Sequence, residues 1–278
     1  MTTLDTGTDD LLARIEGPVG IISFNRPERR NALSDAMYEG FGTVIPQLAA
    51  DDSVRVVMVT GVGGAFCAGG DVKGFAESHN SGKERRPGVT DPVAHLQGLQ
   101  RKVSQALWEL PKPVVAALPG AAAGAGLSIA LSADLRIAKP GVPIVTAFTT
   151  IGASGDFGGS WFLTQLVGPA KAKELYWTSP RLTAEEAAEL GIVNQVLPTG
   201  DSLEDFEVAA LEWCTALAGR APLALGAVKA NINRAVDVDL PEALDAEAAA
   251  MVATMGTQDH REATAAFLEK RPPVFEGR

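Results

Sequence analysis

Residues 152–161, GASGDFGGSW, place one carboxylate, Asp156, in a glycine-rich turn bracketed by aromatic side chains, with no cation beside it in sequence. Asp is a common turn residue because its side chain bonds nearby backbone N–H groups. A carboxyl group among apolar side chains has a second use. Burial raises its pKa, and it becomes a base that takes and returns a proton near neutral pH. Two other glycine-rich stretches bear on chemistry, GVGGAFCAGGD (61–71) and GAAAGAGLS (120–128). Neither has the spacing of a phosphate loop, and the second lacks the order of a dinucleotide fingerprint. Glycine clusters let backbone N–H groups turn outward, and a helix N-terminus adds unpaired donors. Two such donors aimed at one point form an oxyanion hole. The same small residues would also serve close strand–helix packing.

The elements that must position these residues follow from hydrophobic patterning. LLARIE and GIISFN read as two strands joined by a turn, and SDAMYEGFGTVIPQLAA as a helix capped by Ser34. VRVVMVTG reads as a buried strand, PVAHLQGLQRKVSQALWEL as a helix, PKPVVAAL as a strand, GAGLSIALSA as a small-residue helix and DLRIAK as a strand. Alternating strands and helices imply an α/β core with parallel crossovers. Beyond residue 158 the pattern is helical, with one short strand in IVNQVLP and a capping box from Thr183 and Glu186. The expected divisions are a flexible start over 1–10, an α/β core over 11–200 and a helical region over 201–278. The stretch 77–90, with His79 and the basic run 83–86, reads as a surface loop.

Composition narrows the function classes. The 278 residues carry a net charge of −10, which argues against a nucleic-acid partner. Cys67 and Cys214 give neither a disulfide framework nor a metal cluster, and the three histidines share no ligand spacing, so no metal site is expected. The uncharged stretch 113–133 contains two prolines and three glycines, and reads as buried strand, turn and helix rather than a membrane span. The first residues have no basic or apolar signal region, so a cytoplasmic location is expected.

NRPERRNAL (25–33), AFCAGGDVKGF (65–75), the run 111–138, the run 158–198 and AFLEKRPPVF (266–275) together resemble the enoyl-CoA hydratase/isomerase (crotonase) superfamily, in order over nearly the whole chain. The resemblance implies a spiral of β-β-α units with a helical C-terminal region that builds homotrimers or homohexamers. It implies a coenzyme A thioester as substrate and no separate cofactor. AFCAGGD corresponds to the first oxyanion turn, which makes the Ala68 N–H a donor. GAAAGAG corresponds to the second, with its donor on Ala125. Gly69 and Gly70 complete the first turn, and Asp71 stabilises it. Arg26, Arg30 and Ala32 correspond to the lining of the coenzyme A site, and Phe267 and Lys270 to residues that reach a coenzyme A, typically a neighbouring subunit's.

The departures select among the family's reactions. Its hydratases deliver water with two glutamates, and those positions hold Ser128 and Phe148 here. Phe148 becomes an apolar wall, with Phe157 and Trp161. Asp156 falls where the family's Δ3,Δ2-enoyl-CoA isomerases carry their single acidic base. Its dehalogenases also place an Asp there, but with a histidine where this chain has Arg101. The expected activity is enoyl-CoA isomerisation by one Asp proton shuttle. An atypical hydratase and a non-catalytic acyl-CoA-binding paralogue are the alternatives.

Overall fold

In the computed structural model, residues 1–72, 74, 88–200 and 202–278 are described. Most of the expected loop 77–90, with His79 and the basic run 83–86, lies outside them. Strands β1 (Thr2–Leu4), β2 (Leu11–Glu16) and β3 (Val19–Phe24) form an antiparallel ribbon. Residues 1–10, expected to be a flexible start, thus begin with a paired strand. The Thr6 hydroxyl donates to Leu11 O at 2.7 Å and fixes the return from β1 to β2. Helix α1 (Asp35–Ala50) begins at Ser34, whose Oγ accepts from the Met37 N–H. It buries Met37, Phe41, Val44, Ile45 and Leu48, a stripe at three- and four-residue spacing.

From there a three-part unit repeats: a strand in a large sheet, a short strand in a second sheet, then a helical segment. The first unit is β4 (Val56–Gly61), β5 (Ala65–Cys67) and the helical stretch formed by α2 (Pro92–Gln100), a π-turn (Arg101–Gln105) and α3 (Ala106–Glu109). The second is β6 (Val114–Leu118), β7 (Ala121–Ala123) and α4 (Ala125–Ser132). The third is β8 (Leu135–Ala138), β9 (Ile144–Val145) and α5 (Gly159–Thr178), which kinks at Gly168. Helix α6 (Ala184–Glu189), opened by the expected capping box, leads into β10 (Gln195–Val196). The large sheet runs β1-β2-β3-β4-β6-β8-β10 and the second β5-β7-β9, with every pair from β3 onward parallel. This is the α/β spiral of β-β-α units that the resemblance implied.

Parallel strands must be covered on both faces. One face carries α1 and the aromatic and aliphatic core around Phe24, Phe41, Phe66 and Leu118. The other is covered by α7 (Leu203–Ala218), which packs Phe206, Ala210, Cys214 and Ala218 onto Ile21, Val56, Met58 and Val115. Helices α8 (Pro222–Arg234), α9 (Leu240–Met255) and α10 (Gln258–Glu269) follow. The Lys229 ammonium pins α8 to Asp134 at 2.9 Å, and Asp134 also accepts from the Val114 N–H at 2.7 Å. The uncharged stretch 113–133 is β6, β7 and the short α4, and no helix among the described residues is long and apolar enough to cross a membrane.

Candidate active site

The turn before α5 is held by left-handed backbone at Gly155, Phe157 and Gly158 (φ 111°, 50° and 76°). A phenylalanine at positive φ is strained. Full burial and a stack on Tyr38, with ring centroids 5.5 Å apart, keep Phe157 there. Between these residues sits Asp156. Its Oδ1 is buried and accepts no hydrogen bond, and burial pushes the carboxyl pKa up to about 6. An aspartate used only as a turn residue would spend its oxygens on backbone N–H groups. This one does not.

Tyr176, on α5, lies beneath the turn with its ring stacked on Phe148 at 6.0 Å. Its hydroxyl interacts with that of Ser128, and a Cβ added at Gly159 would collide with the Ser128 hydroxyl and stand 2.6 Å from that of Tyr176. Burial, the Asp156 charge adding to it, pushes the Tyr176 phenol up to about 12. Ser128 also donates to Gly124 O, one turn back on its own helix, at 3.3 Å. The two positions that would carry hydratase glutamates are therefore a serine tied to its helix and a phenylalanine packed on a tyrosine.

The two glycine-rich turns expected to hold the oxyanion donors leave the C-terminal ends of β5 and β7, which are neighbours in register Ala65↔Ala121 and Cys67↔Ala122. Gly69 (φ 86°) lets the turns touch: a Cβ there would stand 2.7 Å from Ala123 O and 3.2 Å from Ala125 N. Ala125 opens α4, so its N–H has no acceptor within the helix. Ala68, expected to offer the matching donor, instead gives its N–H to Arg30 O at 3.0 Å. The physical reason is that loop 26–33 lies alongside the first turn as an extra strand-like edge: Leu33 donates to Gly69 O and forms a bridge with Gly70.

Asp71 spends its carboxylate on its own turn. It accepts from the Gly74 N–H at 3.0 Å and lies 3.6 Å from Arg26, and these contacts hold its pKa below the usual carboxylate value. Arg26 also donates to the buried Ala32's carbonyl at 2.8 Å, so its guanidinium serves the loop itself. Arg30 is exposed beside it. Phe267 and Lys270 are exposed at the end of α10, and Phe267 shows 83% of its surface; the chain does not pack them into its own core. Two residues that the sequence did not single out also matter here. Asn31, fully buried, accepts from the Arg26 N–H and donates to Val62 O and Ala65 O, clamping the loop to the glycine-rich turn at 61–71. The available signal was an asparagine inside NRPERRNAL, since Asn tolerates left-handed backbone and can pair in both directions. Tyr176 gave only an aromatic on a helix.

The chain is thus a spiral of β-β-α units in which the turns after β5 and β7 touch at Gly69. Comparison with known proteins agrees. The enoyl-CoA hydratase/isomerase family model matches residues 14–278. The 1,2-epoxyphenylacetyl-CoA isomerase of Escherichia coli is 34% identical, over 96% of this chain and 98% of its own. The short-chain-enoyl-CoA hydratase of Clostridium acetobutylicum is 33% identical, over 95% and 96%. A crystal structure of an enoyl-CoA hydratase from a Polaromonas species superposes with a TM-score of 0.85 at 33% identity, covering 95% of this chain and 99% of that one. The chain belongs to the enoyl-CoA hydratase/isomerase family.

Proposed function

We propose that this protein isomerises a 3-enoyl-CoA to the conjugated 2-enoyl-CoA, with Asp156 as the single proton carrier. The observation that carries this reading is the buried, unpartnered Oδ1 of Asp156 with its pKa at about 6. That value keeps the group ionised at neutral pH yet makes it a stronger base than an exposed aspartate. The carboxylate takes a proton from the carbon next to the thioester, and the electrons pass into a dienolate whose oxygen becomes negative. The resulting carboxylic acid returns the proton two carbons further along the chain, which restores the thioester carbonyl and leaves the double bond conjugated.

The dienolate oxygen takes the Ala125 N–H as its first donor. The Ala68 N–H becomes the second when the thioester oxygen replaces Arg30 O as its acceptor. Each such donor is worth about 2.7–4 kcal/mol of barrier in other enzymes. Arg26, Arg30 and Ala32 line the coenzyme A path. Phe267 and Lys270, at the end of an apolar-surfaced helical region, serve the coenzyme A of a neighbouring copy in a homotrimer or homohexamer.

The test is NMR of a 3-enoyl-CoA in deuterated water, beside Asp156→Asn. Conjugated product with deuterium uptake that Asp156→Asn abolishes is the expected result. Water addition to a 2-enoyl-CoA without isomerisation would replace this reading with hydration. Binding of both thioesters without turnover would replace it with a carrier role.

A further inference from the structure

A cavity of about 370 Å³ lies between the π-turn and the start of α5. Phe157 and Gly158, the residues that follow Asp156, form part of its wall. Its two sides differ in kind. Phe157, Trp161 and Trp108 make an aromatic side, with Trp108 and Trp161 in edge contact at 5.4 Å. Gln100, Arg101 and Ser104 make a polar side. Ser104 is 4% exposed, and its Oγ is buried without a hydrogen-bond partner. An unmet buried hydroxyl costs about 1–3 kcal/mol, so a polar group in the cavity that reaches it on a small shift of the wall gains a hydrogen bond. The single acidic residue in the wall, Glu109, is already engaged by the Gln105 amide at 2.8 Å, whereas among the described residues Arg101 makes no ion pair. The π-turn puts Arg101 and Ser104 on one wall, and π-turns recur at functional sites because they aim side chains that an α-helical register would turn elsewhere.

We propose that this cavity seats the far end of the acyl group, and that this end carries a carboxylate. The inference rests on the acyl-CoA reading given above and names its substrate class: the coenzyme A monothioester of a dicarboxylic acid. The aromatic side covers the methylenes, and the far carboxylate accepts from the Arg101 guanidinium and the Ser104 hydroxyl. A plain alkyl chain would strip water from that polar side and return no hydrogen bond.

Calorimetric titration of the full chain with saturated thioesters tests this without any turnover. Succinyl-, adipyl- and suberyl-CoA are compared with butyryl-, hexanoyl- and octanoyl-CoA. At the length that fits, the carboxylated thioester binds about tenfold tighter than its plain counterpart, as expected for one charge-assisted contact. Arg101→Met removes this preference and leaves plain acyl-CoA binding intact; that retained affinity also shows the variant is folded. Ser104→Ala reduces the preference about threefold, because it removes one of the carboxylate's two donors and leaves Arg101 in place. Equal affinity at all three lengths, or a preference that survives Arg101→Met, overturns the inference while leaving the acyl-CoA reading in place. Absence of binding by every thioester overturns both.

Discussion

Two aspartates stand in two glycine-rich turns, and the protein treats them in opposite ways. Asp71 is met by a backbone N–H and a guanidinium, and its pKa falls. Asp156 has an oxygen that meets nothing, and its pKa rises to about 6. The residue type and the local glycine content are alike, so the difference lies in what packs around each turn. A carboxylate whose needs are met holds the chain. One whose needs are unmet holds the free energy that a base requires.

Four experiments would break or sharpen this contrast. The largest effect is expected from Asp156→Asn, which should lower isomerase kcat by about a thousandfold or more, as general-base losses do. Asp71→Asn in the same assay should change kcat by less than about tenfold, since Asp71 touches no reacting atom in this reading. Comparable losses from both would erase the distinction.

Asn31→Ala comes next, and acts on stability. It strands Val62 O, Ala65 O and the Arg26 N–H in a buried loop, and urea titration should show a loss of about 3 kcal/mol. The Ala68 turn then loses its clamp, and KM for the thioester should rise along with it.

A third test concerns the sign of the stability effect at Asp156. The native carboxyl keeps its proton up to about pH 6, against 3.8 for an unperturbed group. Its contribution is therefore full below about pH 4 and is lost as pH rises through about 6. At pH 7 the charged form costs about 3 kcal/mol by that difference, so Asp156→Asn should raise the unfolding midpoint at neutral pH and change little in acid. An aspartate that stabilised its turn, as Asp71 does, would show the reverse. The smallest effect is in the pH profile. Log kcat/KM should fall on the acid side with an apparent pKa near 6, and Asp71→Asn should not move that limb.

Much of the scaffold was visible in sequence because its signals are periodic and local. Ser34 and the stripe Met37, Phe41, Val44 announce α1, and the Thr183 and Glu186 box announces α6. The strands β5 and β7 were hidden for the opposite reason. Each has three residues in glycine- and alanine-rich sequence, too short for alternation to register, and each is fixed by its neighbours in the second sheet. At the site, Asp156 could be singled out by its apolar company, but its missing partner is a property of the packed turn. The engagement of the Ala68 N–H by Arg30 could not be read at all, because it joins two backbone groups and leaves no trace in residue identity. Tyr176 was equally silent: a helix gives no local reason to tell a core aromatic from one whose hydroxyl reaches Ser128.

The second sheet, three strands of two or three residues each, is a ruler. The thioester's two prospective donors lie just past the ends of adjacent parallel strands, and adjacent strands in any sheet stand about 4.8 Å apart. Their separation is thus inherited from the hydrogen-bonding pitch of the backbone, not from any side chain. Loops, helix lengths and pocket residues can change around it while the gauge stays fixed. In the proposed reaction, the acyl pocket and the proton carrier could be changed without rebuilding the part that would hold the charge.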